Sequence, residues 1–133
     1  SYMMFVYPAY FHNEDNSYWV EFPDLPGCQT FGSTLNETIE HAQEALSSYL
    51  LTLIDENQLV PAPSDIKILK PEDENTFVSL VSCDLGQYEN LKSVKKTLTI
   101  PAWLNDKALA QGINFSKVLQ EALLSKIQSK SNT

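Results

Sequence analysis

The chain has 133 residues, 43% of them hydrophobic and 20% charged, with a net charge of −8. This is the composition of one folded domain, or of one domain with a small added module, and it excludes a disordered chain. No apolar run is long enough to span a bilayer, and the opening Ser1-Tyr2-Met3-Met4-Phe5-Val6 lacks the basic segment of a signal peptide, so a soluble cytoplasmic protein with no membrane partner is expected.

In chain order, Met3–Phe11 predicts a strand rich in aromatics, closed by a polar turn at His12-Asn13-Glu14-Asp15-Asn16. Ser17–Phe22 forms the second half of a hairpin. Pro23-Asp24-Leu25-Pro26-Gly27 is a turn in which two prolines fix φ, and Cys28–Phe31 is a third short strand. Thr34 followed by Glu37 has the spacing of a capping box, and the helix it opens runs from about Leu35 to about Glu56. Leu35, Ile39, Ala42, Leu46, Tyr49, Leu50 and Leu53 form its apolar face, while Glu37, Glu40 and Glu44 form an acidic ridge away from it. A Pro-stiffened exit follows at Leu59–Ser64, then a short extended segment or weak strand at Asp65–Leu69, a charged turn at Pro71–Asn75, and a strand at Thr76–Cys83. The order β-β-β-α-β predicts an α+β fold, an antiparallel sheet with one long helix on a face.

Charge divides the chain near its last third. Residues 1–91 hold two lysines against fifteen Asp and Glu, a net −13; residues 92–133 hold seven lysines against Asp106 and Glu121, a net +5. An acidic body suits a basic partner, and a small basic tail suits nucleic-acid phosphates. The boundary sets out an acidic domain at 1–85, a linker at 86–91 and a basic module at 92–133. There is no arginine, so DNA recognition must rely on Lys and small polar side chains.

In the tail, Val94–Ile100 alternates as a strand: Leu98 and Ile100 share one face, Lys95, Thr97 and Thr99 the other. Pro101 suits the start of a helix carrying Trp103, Leu104, Ala108 and Leu109. Gly112 suits its C-terminal turn. Asn114 caps a second helix with Phe115, Val118, Leu119, Ala122, Leu123 and Ile127 on one face. About 40 residues cannot bury this much apolar surface alone, whereas two copies with antiparallel strands can. That pairing is a ribbon-helix-helix homodimer whose ribbon enters the major groove of operator DNA. Lys95, Thr97 and Thr99 then face base edges, and Lys92 and the helix start at Asn114, Phe115 and Ser116 face phosphates. Ala108, Gly112 and Val118 also fit a helix-turn-helix, with Lys117 and Gln120 as readers, and a dimerisation tail without DNA binding is the third alternative.

The chain resembles the HicB-type antitoxins of HicA/HicB toxin–antitoxin systems. The resemblance rests on Tyr7-Pro8-Ala9, on Tyr18-Trp19-Val20-Glu21-Phe22-Pro23-Asp24-Leu25-Pro26-Gly27-Cys28, and on Gly32-Ser33-Thr34-Leu35-Asn36-Glu37, with Thr38 and Ile39 where the family often has Ala. Thr97-Leu98-Thr99-Ile100-Pro101 and Gly112-Ile113-Asn114-Phe115-Ser116 resemble its ribbon-helix-helix branch. The resemblance implies a partial ribonuclease-H-like N-terminal sheet that neutralises a small basic HicA-like toxin that cleaves mRNA. It also implies a tail that represses the chain's own operon. Candidate toxin contacts are Trp19, Glu21, Asp24, Glu40 and Glu44. A dimer, with higher assembly open, is expected. A stand-alone transcription regulator whose sheet senses a small ligand is the alternative function.

No enzymatic or cofactor chemistry is expected. Glu21 and Asp24 are the only close acid pair near the strands, too few for a Mg²⁺ site. His12 and His41 have no Ser, Cys or second His at a useful local spacing. Cys28 and Cys83 lack CxxC or paired metal spacing and suit reduced, buried thiols. Trp19 and Trp103 suit core or interface anchors.

Overall fold

The structure, a computed structural model, describes residues 3–88 and 93–131. Its strands are β1 (Met4–Glu14), β2 (Ser17–Glu21), β3 (Gln29–Gly32) and β4 (Thr76–Asp84); its helices are α1 (Leu35–Asp55), α2 (Ala102–Ala110) and α3 (Phe115–Ser131). The four strands form one antiparallel sheet in the order β3-β2-β1-β4. The expected β-β-β-α-β order is observed.

Local chemistry sets the turns. His12, Asn13 and Glu14, expected in a turn, belong to β1, and the hairpin closes at Asp15 and Asn16 alone. Both have positive φ, 50° and 64°, as a two-residue loop matching strand twist requires, and Asp and Asn tolerate that region. Asp65–Leu69 is not a strand: Ile66–Ile68 makes one 3₁₀ turn, because Asp65 accepts from the Lys67 N–H and competes with an extended backbone. This turn packs against β4.

Ladder parity in β1 and β4 is fixed by bonds at both ends. The Leu85 N–H donates to Met3 O and the Asn13 N–H to Asn75 O, so odd-numbered residues exchange the ladder bonds. Pro8, opposite Leu80, is even-numbered; its missing N–H costs no ladder bond, and β2 pairs β1 only from Tyr10 onward.

One face of the sheet carries the core. Phe5, Tyr7, Ala9 and Phe11 of β1, Val20 of β2, and Val81 and Cys83 of β4 pack with Ala42, Leu46 and Leu50 of α1 and with Phe22, Leu25, Cys28 and Val60 from the loops. The Thr34 hydroxyl accepts from the Glu37 N–H and caps α1, as its sequence predicts. Its buried face differs from the expected one. Leu35 and Ile39 are exposed, and Thr38, Ala42, Leu46, Ser47 and Leu50 are buried. The reason is the approach of β3. Gly32 lies beneath Thr38, whose hydroxyl donates to Thr34 O, so the first turn rotates its polar residue inward with its hydrogen bond already made.

Gly112 has φ 68° after α2, and Asn114 Oδ1 accepts from the Lys117 N–H at the start of α3, both as expected. α3 runs to Ser131 and includes Ile127, as the expected apolar face requires. Leu124 packs on the core, and the Gln128 amide donates to Pro61 O at 3.0 Å, so tertiary contact holds the end of the helix. Residues 93–100 form no ladder with any described strand. No described helix is long and apolar enough to cross a membrane.

Candidate functional site

Two surfaces gather the residues singled out by sequence. On the sheet face opposite α1, Trp19 and His12 are directly opposed in the β1–β2 register and their rings stack, with centroids 3.9 Å apart and planes at 11°. Glu21, one pair along, bonds His12 Nε2 at 2.6 Å. His12 Nδ1 lies 3.0 Å from the Thr76 hydroxyl, which donates to Asp73 Oδ1. This places hydroxyl, imidazole and carboxylate in a row, the contact pattern of a nucleophilic site. The Thr76 proton, however, is committed to Asp73 and the residue is buried, so no substrate path reaches it. The cluster staples the far ends of β1, β2 and β4. Sequence reasoning missed it because Glu21 and Thr76 lie 9 and 64 residues from His12.

Asp24, half-buried in the Pro23–Gly27 turn, accepts from both the Ser64 N–H (2.9 Å) and the Ser64 hydroxyl (2.5 Å). It ties that turn to the segment after α1. Beside it, the Tyr7 hydroxyl donates to Pro61 O, and burial raises its pKa above the usual tyrosine value. Burial also pushes the Cys28 thiol up to about 11 and raises that of Cys83; both cysteines are free and buried, as expected.

Glu40 and Glu44 are exposed on α1, on the layer opposite Trp19 and Glu21. The structure therefore does not place the five candidate contacts on one face. Between the two layers lies β3, the edge strand that pairs with β2 and packs against α1. There Phe31, opposite Trp19, is 75% exposed, and its carbonyl accepts from His41 Nδ1 at 2.7 Å. That bond, and more weakly the Glu37, Glu44 and Glu40 carboxylates, raise the His41 pKa above its ordinary value, against a smaller lowering by burial. Phe31 was legible only as the odd aromatic of a short strand; its exposure needed the register.

The tail surface is open. Lys95, Thr97 and Thr99 are exposed, as are Asn114, Phe115 and Ser116 at the start of α3, where the Ser116 hydroxyl accepts from the Gln120 amide. Lys92 lies outside the described residues. Leu98 (65%) and Trp103 (63%) are exposed with Ile100, Leu109, Phe115 and Leu123, so Trp103 is not a core residue among the described residues. No group of three or more His, Cys, Asp or Glu able to hold a metal occurs among the described residues.

Residues 7–127 match the family described as "HicB_like antitoxin of bacterial toxin-antitoxin system". The chain belongs to that family. It is accordingly an antitoxin of a toxin–antitoxin system, and members of this family are non-enzymatic. It is 32% identical over 101 residues to an uncharacterized 14.9 kDa protein of Haemophilus phage HP1, covering 74% of this chain and 75% of the phage protein. The fold is similar to the crystal structure of the Burkholderia pseudomallei antitoxin HicB, with TM-score 0.75 and 27% identity over 92% of this chain and 98% of that one. It is also similar to a chain of a toxin–antitoxin complex from Streptococcus pneumoniae, with TM-score 0.59 and 32% identity over 93% and 99% of the two chains. The four-stranded antiparallel sheet, long helix and C-terminal helices are those of HicB structures.

Proposed function

We propose that this antitoxin neutralises a small basic HicA-like toxin through its acidic N-terminal part, and represses its own operon through a ribbon-helix-helix tail that binds operator DNA as a homodimer in the cytoplasm. The division is an acidic domain at 1–85 with a partial ribonuclease-H-like sheet, a linker at 86–91 and a basic module at 92–133. One observation carries the DNA half of the reading. A single chain leaves the tail's apolar residues Leu98, Ile100, Trp103, Leu109 and Leu123 exposed, and residues 93–100 pair with no strand among the described residues. That surface is costly in water and self-complementary in a ribbon dimer. A helix-turn-helix leaves the strand-like alternation before Pro101 without a role.

In the dimer, Lys95, Thr97 and Thr99 from both chains read base edges, and Asn114, Phe115, Ser116 and Lys92 meet phosphates. The toxin wraps the β3 edge: Phe31 and Trp19 are the aromatic anchors, and Glu21, Glu40 and Glu44 form an acidic rim matched to a basic surface. Asp24 contributes by holding the adjoining turn. The test is a pair of pull-downs with the product of the neighbouring basic reading frame and with its promoter DNA. Wild-type protein binds both, Leu98→Asp retains toxin and loses DNA, and Phe31→Asp loses toxin and retains DNA. Loss of both ligands in either variant with circular dichroism unchanged would refute the division of labour.

A further inference from the structure

We propose that the back of α3 clamps the tail onto the sheet domain of the same chain, leaving this helix no free face with which to read bases. The clamp is independent of any DNA reading; its consequence for DNA rests on the tail's proposed role as an operator binder. The first observation is where α3 is covered. From Phe115 to Gln128 only Lys117, Gln120, Leu124 and Gln128 are half-buried, at spacings of three, four and four, which puts them on one stripe. Val118, Leu119, Ala122 and Leu123 are exposed. At about 3.6 residues per turn, Leu124 projects roughly 160° from Ala122, so the covered stripe and the exposed apolar face lie on opposite sides of the helix. Leu124 stands outside that apolar face, and it is the residue of α3 that packs on the core of the sheet domain.

The second observation is the seat. The Gln128 amide, one turn beyond Leu124, donates to Pro61 O at 3.0 Å and lies 3.5 Å from the Tyr7 hydroxyl. The same carbonyl accepts from the Tyr7 hydroxyl, and Tyr7 is fully buried in β1. Ala62 faces Glu121, Leu124, Ser125 and Gln128 across a shallow groove. The segment that forms the seat is stiff: Val60 is buried, Pro61 and Pro63 have their φ fixed by the ring, and Asp24 holds Ser64. One short strut therefore bears the tail at Pro61 and the Pro23–Gly27 turn at Ser64.

Both sides of α3 then have an occupant. The exposed apolar face fits the second copy and the covered stripe fits the body of its own chain, so the two contacts close together without competing. Lys117 and Gln120, the readers of a helix-turn-helix, lie on the covered stripe, and α3 enters a groove with them only by leaving its seat. Base reading falls to the ribbon, and each body rides at a fixed position on the operator. Loosening the strut at Asp24 loosens the tail as well as the turn.

Nitrogen-15 relaxation of the deuterated full chain tests the clamp. In wild type the amides of β1 and α3 report one shared rotational correlation time. Gly-Ser-Gly inserted after Asn90 leaves it shared, because the seat rather than the tether holds the tail. Leu124→Asp, with circular dichroism unchanged, gives α3 a shorter time than β1, and Asp24→Ala lowers the order parameters at the Gln128 end of α3. Separate times in wild type or in the insertion variant overturn the clamp, as does a shared time in Leu124→Asp; an α3 unaffected by Asp24→Ala overturns the shared strut. A DNA fragment from upstream of the chain's own reading frame leaves the times shared. If that DNA separates them in wild type, the back of α3 has been released to meet it, and the assignment of base reading away from α3 is overturned. Failure of the operator-binding reading looks different: the times stay shared and the fragment does not bind.

Discussion

Asp24→Ala separates a residue that holds the site from one that touches the partner. The sequence offers Asp24 as a toxin contact in an acidic turn; the structure commits both its carboxylate oxygens to Ser64. Each is a hydrogen bond to an ionised acceptor, a class whose individual loss costs about 1.5–3 kcal/mol. The site is half-buried, and the two bonds share one carboxylate and are not additive, so the combined cost is about 2–4 kcal/mol. For a chain of this size a loss of 1 kcal/mol lowers Tm by roughly 3–4 °C, so the variant should melt about 6–16 °C lower. Ser64→Ala removes only the hydroxyl donor and should cost about 1.5–3 kcal/mol, and the two changes should couple by more than about 0.5 kcal/mol in a double-mutant cycle. The assays are thermal melting and toxin titration at a temperature well below both transitions, where Asp24→Ala should retain toxin affinity within about threefold, under 1 kcal/mol. An unchanged Tm together with a tenfold loss of toxin affinity would refute the latch and make Asp24 a contact.

The remaining predictions concern the acidic ridge, the ribbon and the helix start. Glu40→Lys with Glu44→Lys should slow toxin association and blunt its salt dependence, because rim charges act mainly on the encounter rate; unchanged stopped-flow kinetics would move the interface elsewhere. His41, with its pKa raised in the fold, stabilises the protein below its unfolded value near 6.5, and this is lost as pH rises through the higher folded value. His41→Gln should therefore reduce stability at pH 5.5 relative to wild type and have less effect at pH 8 in urea titrations. Thr97→Ala should relax operator specificity by about 1–3 kcal/mol per contact without dissociating the dimer, whereas Gln120→Ala should leave the operator-to-scrambled ratio unchanged; the reverse in a binding assay would favour a helix-turn-helix. Gly32→Ala would place a Cβ 2.5 Å from Thr38 Oγ1 and 2.8 Å from its backbone N, and since that backbone belongs to the first turn of α1 the overpacking should cost about 1–3 kcal/mol, read from the denaturation midpoint.

Features governed by a few neighbouring residues were legible in the chain itself. The Thr34 cap, the positive-φ Gly112, the Asn114 cap and the strands at β1, β2 and β4 each follow from side-chain chemistry within a few residues or from local composition and turn signals, and each stands in the structure. The split of charge between body and tail is likewise a property of sequence alone. Tertiary structure decided what depends on which surfaces meet. Helical periodicity defined an apolar stripe on α1, but the close approach of β3 at Gly32 selected Thr38 over Leu35 and Ile39 for burial. Asp65–Leu69 had the residues of a strand and no ladder to join, so the local bond from Lys67 to Asp65 prevailed. The His12–Glu21–Thr76 staple and the Asp24–Ser64 latch join groups 9 to 64 residues apart, where loop closure and sheet register, rather than local spacing, bring polar side chains together. The outward parity of Val78 and Leu80 belongs to the same class: alternation told which residues share a face, and only the pairing of β4 with β1 told which backbone groups were left over.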